Sequence, residues 1–326
     1  MVHPSFFSLY PPNKQNPLFI NYKVLTLYHL FILYFLNLCF ETMLITNTYC
    51  MKALYTPLLL VLILTACTSS QERASTDYTQ YVNPFIGTDF TGNTYPGAQA
   101  PFGMVQLSPD NGLPGWDRIS GYFYPDSTIA GFSHTHLSGT GAGDLYDISF
   151  MPVTLPYKEA EAPLGIHSKF SHDDESATAG YYRVLLKDYN IHVELTATER
   201  CGIQRYTFPE ARAAIFLNLK MNWDFTNDTQ VEIVDSVTIQ GYRFSDGWAR
   251  DQHIYFRTRF SKPFTSVQID TTAIIKDGDH IGTATIARFD FDTQKDEQII
   301  VSTAISGVST EGAAKNLLAE VPDDNF

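Results

Sequence analysis

Apolar and polar residues alternate along the second half of the chain, and this period of two predicts β-strands. Residues 191–197 have an apolar side chain at every second position, which places one face on a core and the other towards solvent. Tyr182 to Leu186 and the turn residues after it predict the first arm of a hairpin with this strand. Further strands are predicted at Gly202 to Phe208, Ala213 to Leu219, Ser236 to Phe244, His253 to Phe260, Ser266 to Asp270, Thr283 to Asp290 and Gln298 to Ser306.

Glycine and proline interrupt the chain every few residues from about 81 to 160. These residues prevent long helices and favour short strands joined by structured loops, and such loops often carry function. Since strands recur at a spacing of roughly ten residues, we predict an all-β fold, a large antiparallel β-sandwich over residues 81–308. Ser309 and Thr310 are suited to cap a short helix from Glu311 to Ala319, within a linker predicted over residues 309–326.

The beginning of the chain has the features of an export signal. Lys52 precedes the apolar run Leu58 to Leu64, and small residues lead up to Cys67. Residues 51–67 look like a bacterial lipoprotein signal, in which Cys67 would be lipidated and would become the first residue of the mature protein. Residues 68–80 are small and polar, and we expect them to form a tether between the lipid anchor and the fold.

A second apolar block lies upstream, from Val24 to Phe40. Its length is near the lower limit for crossing a bilayer, so one interpretation is a transmembrane helix. We favour the alternative that residues 1–50 come from a start codon assigned too early, because a complete signal begins at Met51.

Composition and charge narrow the classes of function. The 326 residues are 44% hydrophobic, 14% aromatic and 17% charged, with a formal net charge of −13. This excludes a disordered tail, a collagen-like fibre and a basic nucleic-acid-binding protein. Residues 1–67 hold three lysines and one glutamate, so the remainder has 19 basic and 34 acidic residues and a net charge of −15. Such a surface favours neutral ligands or cations over phosphates.

The four cysteines are widely scattered, and no pair has the spacing of a zinc site or of a disulfide framework. With Cys67 lipidated, Cys201 is the remaining thiol in the mature protein, and we expect it to be buried as a small apolar residue.

The densest cluster of candidate chemistry is the segment 131–141, which contains His134 and His136. On a strand these two side chains would point to the same face, where they could bind a metal or a ligand. The alternative is two histidines in a polar loop network, and it is favoured over metal binding because the sequence suggests no third ligand.

Trp116 followed by Asp117 is a second candidate, because an indole face packs on a sugar ring while a carboxylate accepts hydroxyl hydrogen bonds. The alternative is a buried tryptophan beside a turn. Trp223-Asp224 and Trp248 lie among predicted strands, where core packing is expected.

Two groups of carboxylates stand out as well. Asp144 and Asp147 share the glycine-rich region with the histidines, so one interpretation is a binding role, whereas Asp173 to Glu175 are expected in a solvated turn. The sequence has no nucleophile elbow, P-loop or dinucleotide fingerprint, and no self-contained catalytic centre.

Five motifs occur in fixed order between residues 81 and 141: Tyr81 to Thr88 (YVNPFIGT), Tyr95 to Ala98 (YPGA), Pro101 to Asp110 (PFGMVQLSPD), Gly115 to Asp117 (GWD) and Gly131 to Gly141 (GFSHTHLSGTG). Together they resemble the N-terminal domain of glycoside hydrolase family 92, the calcium-dependent exo-acting α-mannosidases common in Bacteroides-type gut bacteria. The resemblance covers about residues 80–326.

The resemblance implies a partner domain. Members of this family remove terminal α-mannose, mostly α-1,2-linked, with inversion, and two separated carboxylates with a water between them suit that outcome. Those carboxylates and most of the calcium ligands belong to a helical (α/α) barrel that follows the β-sandwich. We therefore expect no catalytic residue and no metal site on this chain, and no activity without that barrel.

The same resemblance assigns residues. Trp116 and Asp117 would line the mannose site, and the strand with His134 and His136 would support it at the domain interface, so all four are candidate substrate-binding residues. Where the family usually has a histidine before the Thr-Tyr-Pro-Gly element, this chain has Asn93, which puts a substrate contact at that position in doubt.

The leading hypothesis is the N-terminal portion of a family 92 α-mannosidase lipoprotein that acts on α-mannose-terminated glycans. The alternative is a non-enzymatic lipoprotein that binds mannose-rich glycans, and a weaker one is a structural subunit for a separately encoded helical domain. We expect an exported lipoprotein in the periplasm or on the surface of a Gram-negative bacterium. No acidic run follows Cys67, which favours the periplasmic side.

Overall fold

Two antiparallel sheets contain most of the strands in the computed structural model, which describes residues 77–158, 160, 165–220, 225–276 and 280–326, together with Tyr34. The predicted signal with Cys67, the apolar block Val24 to Phe40 and the pair Trp223-Asp224 lie outside these residues. None of the helices in the described part of the chain is long and apolar enough to cross a membrane.

The first sheet has seven strands in the order β1-β2-β4-β5-β11-β16-β15. Their bounds are β1 Ala98–Gln99, β2 Gln106–Asp110, β4 Gly131–Ser133, β5 Ser149–Thr154, β11 Ala211–Asn218, β15 Ser266–Lys276 and β16 His280–Thr293. A separate two-stranded ribbon pairs β3 (Thr128–Ile129) with β6 (Ser168–Lys169).

The second sheet has eight strands in the order β12-β13-β14-β17-β10-β9-β8-β7. Their bounds are β7 Glu175–Thr178, β8 Tyr181–Leu186, β9 Ile191–Ala197, β10 Cys201–Phe208, β12 Phe225–Ile233, β13 Thr238–Asp246, β14 Gln252–Phe260 and β17 Glu297–Ser306. Each predicted strand is present, and the all-β sandwich is confirmed.

The core lies between the two sheets, where the alternating apolar side chains of both meet. Phe260 of β14 illustrates the contact, since its ring centroid lies 6.4 Å from that of Phe150 on β5 and 5.2 Å from that of Phe289 on β16. All three rings are buried. Each such ring contributes about 1.5–3 kcal/mol through removal of apolar surface from water.

Helix α1 (Thr310–Glu320) follows the last strand and covers the outer face of the eight-stranded sheet. Its Ser309 cap accepts a hydrogen bond from the Gly312 amide at 3.1 Å, as the sequence predicts. Leu317 packs on Cys201, which is free, buried and on the face of β10 opposite the main core. Burial raises the pKa of Cys201 to about 12, so the thiol has the apolar packing role expected of it.

Candidate functional site

The loop between β2 and β3 presents the indole of Trp116 to solvent, with 73% of the residue exposed. A turn closed by the hydrogen bond from the Arg118 amide to the Gly115 carbonyl, at 2.9 Å, holds it at the tip of the loop. The structure therefore excludes the alternative in which this tryptophan is buried in the core.

Asp117 follows Trp116 in the chain, and one oxygen of its carboxylate is held by the Arg118 guanidinium. Arg118 donates to Asp117 Oδ1 at 2.8 Å and binds Asp126 through two hydrogen bonds of 2.7 and 2.5 Å. The Asp117 side chain is 37% exposed, and its Oδ2 has no hydrogen-bond partner within the described part of the chain. An exposed indole and a fixed acceptor oxygen thus share one loop tip, which suits the recognition of a sugar.

Gly121 brings this loop back onto β2. Its φ is +88°, and a Cβ built there would lie 2.4 Å from Asp110 Oδ1 and 3.1 Å from His136 Cδ2. Only glycine combines that backbone conformation with so close an approach. The end of the Trp116 loop is therefore seated directly on the buried pair of Asp110 and His136.

His136 is buried in a hydrogen-bond network below the loop. Its Nε2 lies 2.9 Å from Asp110 Oδ1 and 3.0 Å from Ser133 Oγ, and its Nδ1 lies 2.7 Å from the Gln106 carbonyl oxygen. Asp110 Oδ2 also accepts from the Ser133 amide at 3.1 Å. The network joins β2 to the segment that follows β4.

The His134 side chain bonds towards β5, the strand beside β4 on the side opposite β2. Its Nδ1 donates to the carbonyl oxygen of Ile148 at 2.7 Å, its ring is fully buried, and its Nε2 has no partner in the described structure. Burial lowers the pKa of His134 to about 4, so the ring is neutral at physiological pH. Both histidines support the strand from inside the domain; a direct contact of either ring with a sugar stays a prediction.

The segment 144–147 links the Trp116 loop to the hairpin of β13 and β14. Asp144 Oδ2 accepts from the Ala249 amide at 2.9 Å, and Asp147 forms a buried ion pair with Arg243. On the other side, the Tyr146 hydroxyl donates to the Ile119 carbonyl. Since both carboxylates are buried and bonded internally, they act inside the protein and not on a ligand.

Two expectations from the sequence are wrong. Glu175 does not lie in a solvated turn: its side chain is 1% exposed and accepts hydrogen bonds from the hydroxyls of Tyr122 and Tyr182, because it begins β7 beneath the loop. Trp248 is not a core residue either, since it occupies the turn after β13 and is 79% exposed. Alternation alone could not place the end of that strand.

Asn93, the departure from the family motif, is buried and has a φ of +50°, a conformation that asparagine tolerates. Its carbonyl oxygen accepts from the Gly139 amide at 2.6 Å. Asn93 thus fixes the glycine-rich segment after His136 through its backbone.

The described residues do not fit a calcium site. They contain no group of three or more His, Cys, Asp or Glu side chains that could hold a metal ion. Near the loop, Asp110, Asp144 and Asp147 use their oxygens on His136, on backbone amides and on Arg243. A calcium shell needs six to eight oxygen ligands, which these engaged carboxylates do not supply.

A family model described as the glycosyl hydrolase family 92 N-terminal domain matches residues 81–306. The chain belongs to glycosyl hydrolase family 92. A family GH92 α-mannosidase from Bacteroides thetaiotaomicron, solved in complex with mannoimidazole, is 38% identical to this family 92 domain, with a TM-score of 0.69 over 76% of this chain and 35% of that one.

Two other relatives are more distant. A family GH92 inverting mannosidase from Bacteroides thetaiotaomicron VPI-5482 is 28% identical, with a TM-score of 0.62 over 75% of this chain and 33% of that one. An uncharacterized secreted glycosidase from Arthroderma benhamiae is 23% identical over 77% of this chain and 36% of its own length. The family 92 domain described here therefore spans about a third of these relatives.

Some residues of the site were not found from the sequence. Arg243 and Gln252 position the segment 144–147 through Asp147, to whose Oδ2 Gln252 donates at 3.2 Å, and Tyr146 ties the segment to the Ile119 carbonyl. The one available signal was Arg243 itself, a charged residue at an inward position of a strand with alternating burial.

Proposed function

We propose that this domain forms one wall of the sugar pocket of an exo-acting, inverting α-1,2-mannosidase. In this proposal the Trp116 indole packs against the terminal mannose, and the free Oδ2 of Asp117 accepts a hydrogen bond from one of its hydroxyls. The observation that carries the proposal is the exposed Trp116 indole followed in the chain by a carboxylate fixed through Oδ1, whose Oδ2 has no hydrogen-bond partner among the described residues. His134 and His136 support the loop from below.

The catalytic acid and base, and the principal calcium ligands, are assigned in this proposal to a helical (α/α) barrel, in the same chain or a separate one. An apolar surface supports this assignment. Apart from Trp116, many exposed large apolar residues of the domain lie between residues 81 and 113: Tyr81, Val82, Ile86, Phe90, Phe102, Met104 and Leu113. So many exposed apolar side chains within a short stretch of the chain favour a surface that packs against a partner.

Fluorine NMR tests the sugar contact on the full 326-residue chain. With 5-fluorotryptophan incorporated, the three tryptophans give separate resonances that Trp116→Phe, Trp223→Phe and Trp248→Phe variants assign. Methyl α-mannoside should shift the Trp116 resonance, whereas methyl α-galactoside should not. A Trp116 resonance that stays unmoved up to about 100 mM, far above the Kd of even a weak site, would overturn the proposal.

A second measurement concerns activity. The full chain with calcium and α-1,2-mannobiose should release no mannose, and clear turnover would show that the acid and base lie on this chain.

The alternative, a carbohydrate-binding lipoprotein, rests on the same exposed indole. Calorimetry separates this alternative from the proposed function. A lectin binds mannose oligosaccharides tightly without a partner domain, whereas a domain that supplies only one wall of the pocket does not.

Export as a lipid-anchored protein is also part of the proposal. It rests on the signal-like residues 51–67, on Cys67 and on the description of the Arthroderma relative as secreted. Metabolic labelling with an alkyne-tagged fatty acid should label the protein, and a Cys67→Ala variant should lose the label.

A further inference from the structure

Strand β15 (Ser266–Lys276) lies at one end of the seven-stranded sheet, next to β16. It has 11 residues, about twice the usual length of a strand. Residues 266–273 are exposed, and among the apolar side chains Val267 and Ile269 are each 39% exposed and Ile275 is 70% exposed. A long edge strand with exposed apolar side chains is a surface on which another strand can pair.

The backbone of β15 directs every second amide and carbonyl away from β16. The Leu219 amide, just after β11, donates to the Thr285 carbonyl at 3.0 Å, so the backbone groups of Thr285 on β16 face β11. Thr271 is the ladder partner of Thr285, and it therefore faces the free edge. Because direction alternates along a strand, five residues present both groups at this edge: Val267, Ile269, Thr271, Ala273 and Ile275.

The free edge of β15 is open to pairing. Among the described residues, none bonds to the amides or carbonyls of these five positions. The strand contains no proline, and its pairing with β16 has no bulge. Prolines, bulges and short length are the devices by which proteins prevent edge-to-edge pairing, and β15 has none of the three.

The two faces of β15 differ in chemistry. Val267 lies opposite Phe289 and Ile269 opposite Ala287, and both partners belong to the buried core, so the five edge residues continue the core-facing side of the sheet. The other face is polar: Gln268 donates to Asp270 Oδ2 at 3.0 Å, and Ser266 donates to Asp290 on β16 at 2.6 Å. A strand that pairs here must match an apolar face and a polar face together.

A second copy of β15 meets this requirement. When two copies run antiparallel with Thr271 opposite Thr271, Val267 lies opposite Ile275 of the second copy and Ile269 lies opposite Ala273. The two-fold axis of this arrangement is normal to the sheet, so the apolar faces stay on one side and the polar faces on the other. Asp270 lies opposite Thr272, and no two like charges are opposed.

The pairing supplies enough hydrogen bonds for a specific interface. All five outward-facing residues lie opposite one another in this register, and each such pair exchanges two bonds, which gives about ten. A typical protein–protein interface has about ten direct hydrogen bonds. Four strands separate β15 from β2, so this contact leaves the Trp116 loop accessible.

We propose that the protein forms a symmetric dimer through antiparallel pairing of β15 with β15 of a second copy, with Thr271 at the two-fold axis. The two seven-stranded sheets become one continuous sheet. This interface is independent of the proposed sugar contact, and each can be tested without the other.

Sedimentation of the full 326-residue chain tests the dimer. The parent should show a monomer–dimer equilibrium between about 1 and 100 μM. Thr271→Pro removes an outward-facing amide and no bond between β15 and β16, so it should fold and should weaken dimerisation at least about tenfold. Thr271→Val loses the same hydroxyl bond to Thr285 but keeps the amide, and should dimerise as the parent does.

A matched pair of lysine variants tests the apolar face. Ile275→Lys places a charge against Val267 of the second copy and should weaken dimerisation at least about tenfold. Leu318→Lys on helix α1 introduces the same charge at a residue that is also 70% exposed, and should leave the equilibrium unchanged. Urea denaturation of each variant confirms that it is folded.

Disulfide cross-linking tests the register. Opposed residues that exchange hydrogen bonds have Cα atoms about 5.5 Å apart, within reach of a disulfide, so Thr271→Cys should form a covalent dimer on oxidation. Ala273→Cys should not, because its counterpart lies four residues along the opposing strand, about 14 Å away. Both changes are made with Cys39, Cys50 and Cys67 replaced by serine, which leaves the buried Cys201 as the remaining native thiol.

Three results would overturn the proposal. The parent could stay monomeric up to about 200 μM, a folded Thr271→Pro variant could dimerise as tightly as the parent, or the two cysteine variants could cross-link equally. If Thr271→Pro does not fold, Ile275→Lys and the cysteine pair decide the matter: an undiminished dimer in Ile275→Lys or an uncross-linked Thr271→Cys would show that the contact lies elsewhere.

Discussion

Asp147 and Arg243 form an ion pair in which both side chains are fully buried, and this pair joins the two sheets beside the candidate site. Asp147 precedes β5 of the seven-stranded sheet, and Arg243 lies on β13 of the eight-stranded sheet. Asp147 also accepts hydrogen bonds from Thr135 at 2.7 Å and Gln252 at 3.2 Å. The pair therefore fixes the segment 144–147, which links the Trp116 loop to the hairpin of β13 and β14.

Asp147→Asn should destabilise the protein by about 3–5 kcal/mol, because it leaves the Arg243 charge buried without a counter-charge. Chemical denaturation measures this change. The matched control is Asp174→Asn, which breaks the solvent-exposed pair with Lys187 at 3.1 Å and should cost no more than about 1 kcal/mol. Equal losses in the two variants would contradict the structural role of the buried pair.

Stability should fall as the pH is lowered from about 6.5 to about 4, and His134 should account for about 3 kcal/mol of that loss. Burial depresses the pKa of the folded ring, so in this window the unfolded chain takes up a proton that the folded protein does not. His134→Asn keeps a donor towards Ile148 but cannot titrate. The unfolding free energies of the parent and this variant should therefore converge or cross as the pH drops; parallel curves would count against the prediction.

Gly121→Ala should cost about 2–4 kcal/mol, from backbone strain and from the clash of the new methyl group with Asp110. Gly139→Ala is the matched control, because Gly139 also has a positive φ, +68°, but nothing lies within 4 Å of its Cβ position. Gly139→Ala should lose stability through backbone strain alone, about 1 kcal/mol. Urea denaturation gives both values, and the prediction fails if the two variants are equally stable.

Phe90→Asn with Phe102→Asn should reduce self-association of the full chain. Both phenylalanines are exposed, at 82% and 102%, and both have a positive φ that asparagine adopts more readily. Light scattering at increasing concentration measures the effect. Val308→Asn, which changes a residue that is 81% exposed outside residues 81–113, should have a smaller effect. A similar effect of both changes would show that residues 81–113 do not form a special apolar surface.

The sandwich could be predicted from the sequence, because period-two alternation is a local property that each strand displays alone. Residues 191–197 were predicted as a strand and are β9. Helix α1 was predicted within one residue at each end, since its N-terminal cap, Ser309, is a signal carried by the residues next to the helix. The segment Phe225–Ile233 was missed, because β12 is a polar strand at the edge of its sheet and its Thr229 hydroxyl bonds across to the hydroxyls of Thr283 and Thr285 on β16.

Whether a polar residue acts inside the protein or faces solvent depends on how distant segments pack together, which the sequence pattern does not reveal. Glu175 and Asp174 are neighbours in an acidic run, yet the Glu175 side chain is 1% exposed and that of Asp174 is 40% exposed. Trp116 and Trp248 could each have been a core residue from sequence alone. Their exposure, and their connection through residues 144–147, depend on hydrogen bonds between positions about 30 to 105 residues apart. Such long-range pairings leave no periodic trace in the chain, so the fold and the candidate residues Trp116 and Asp117 could be named from the sequence, whereas the contacts that position them could not.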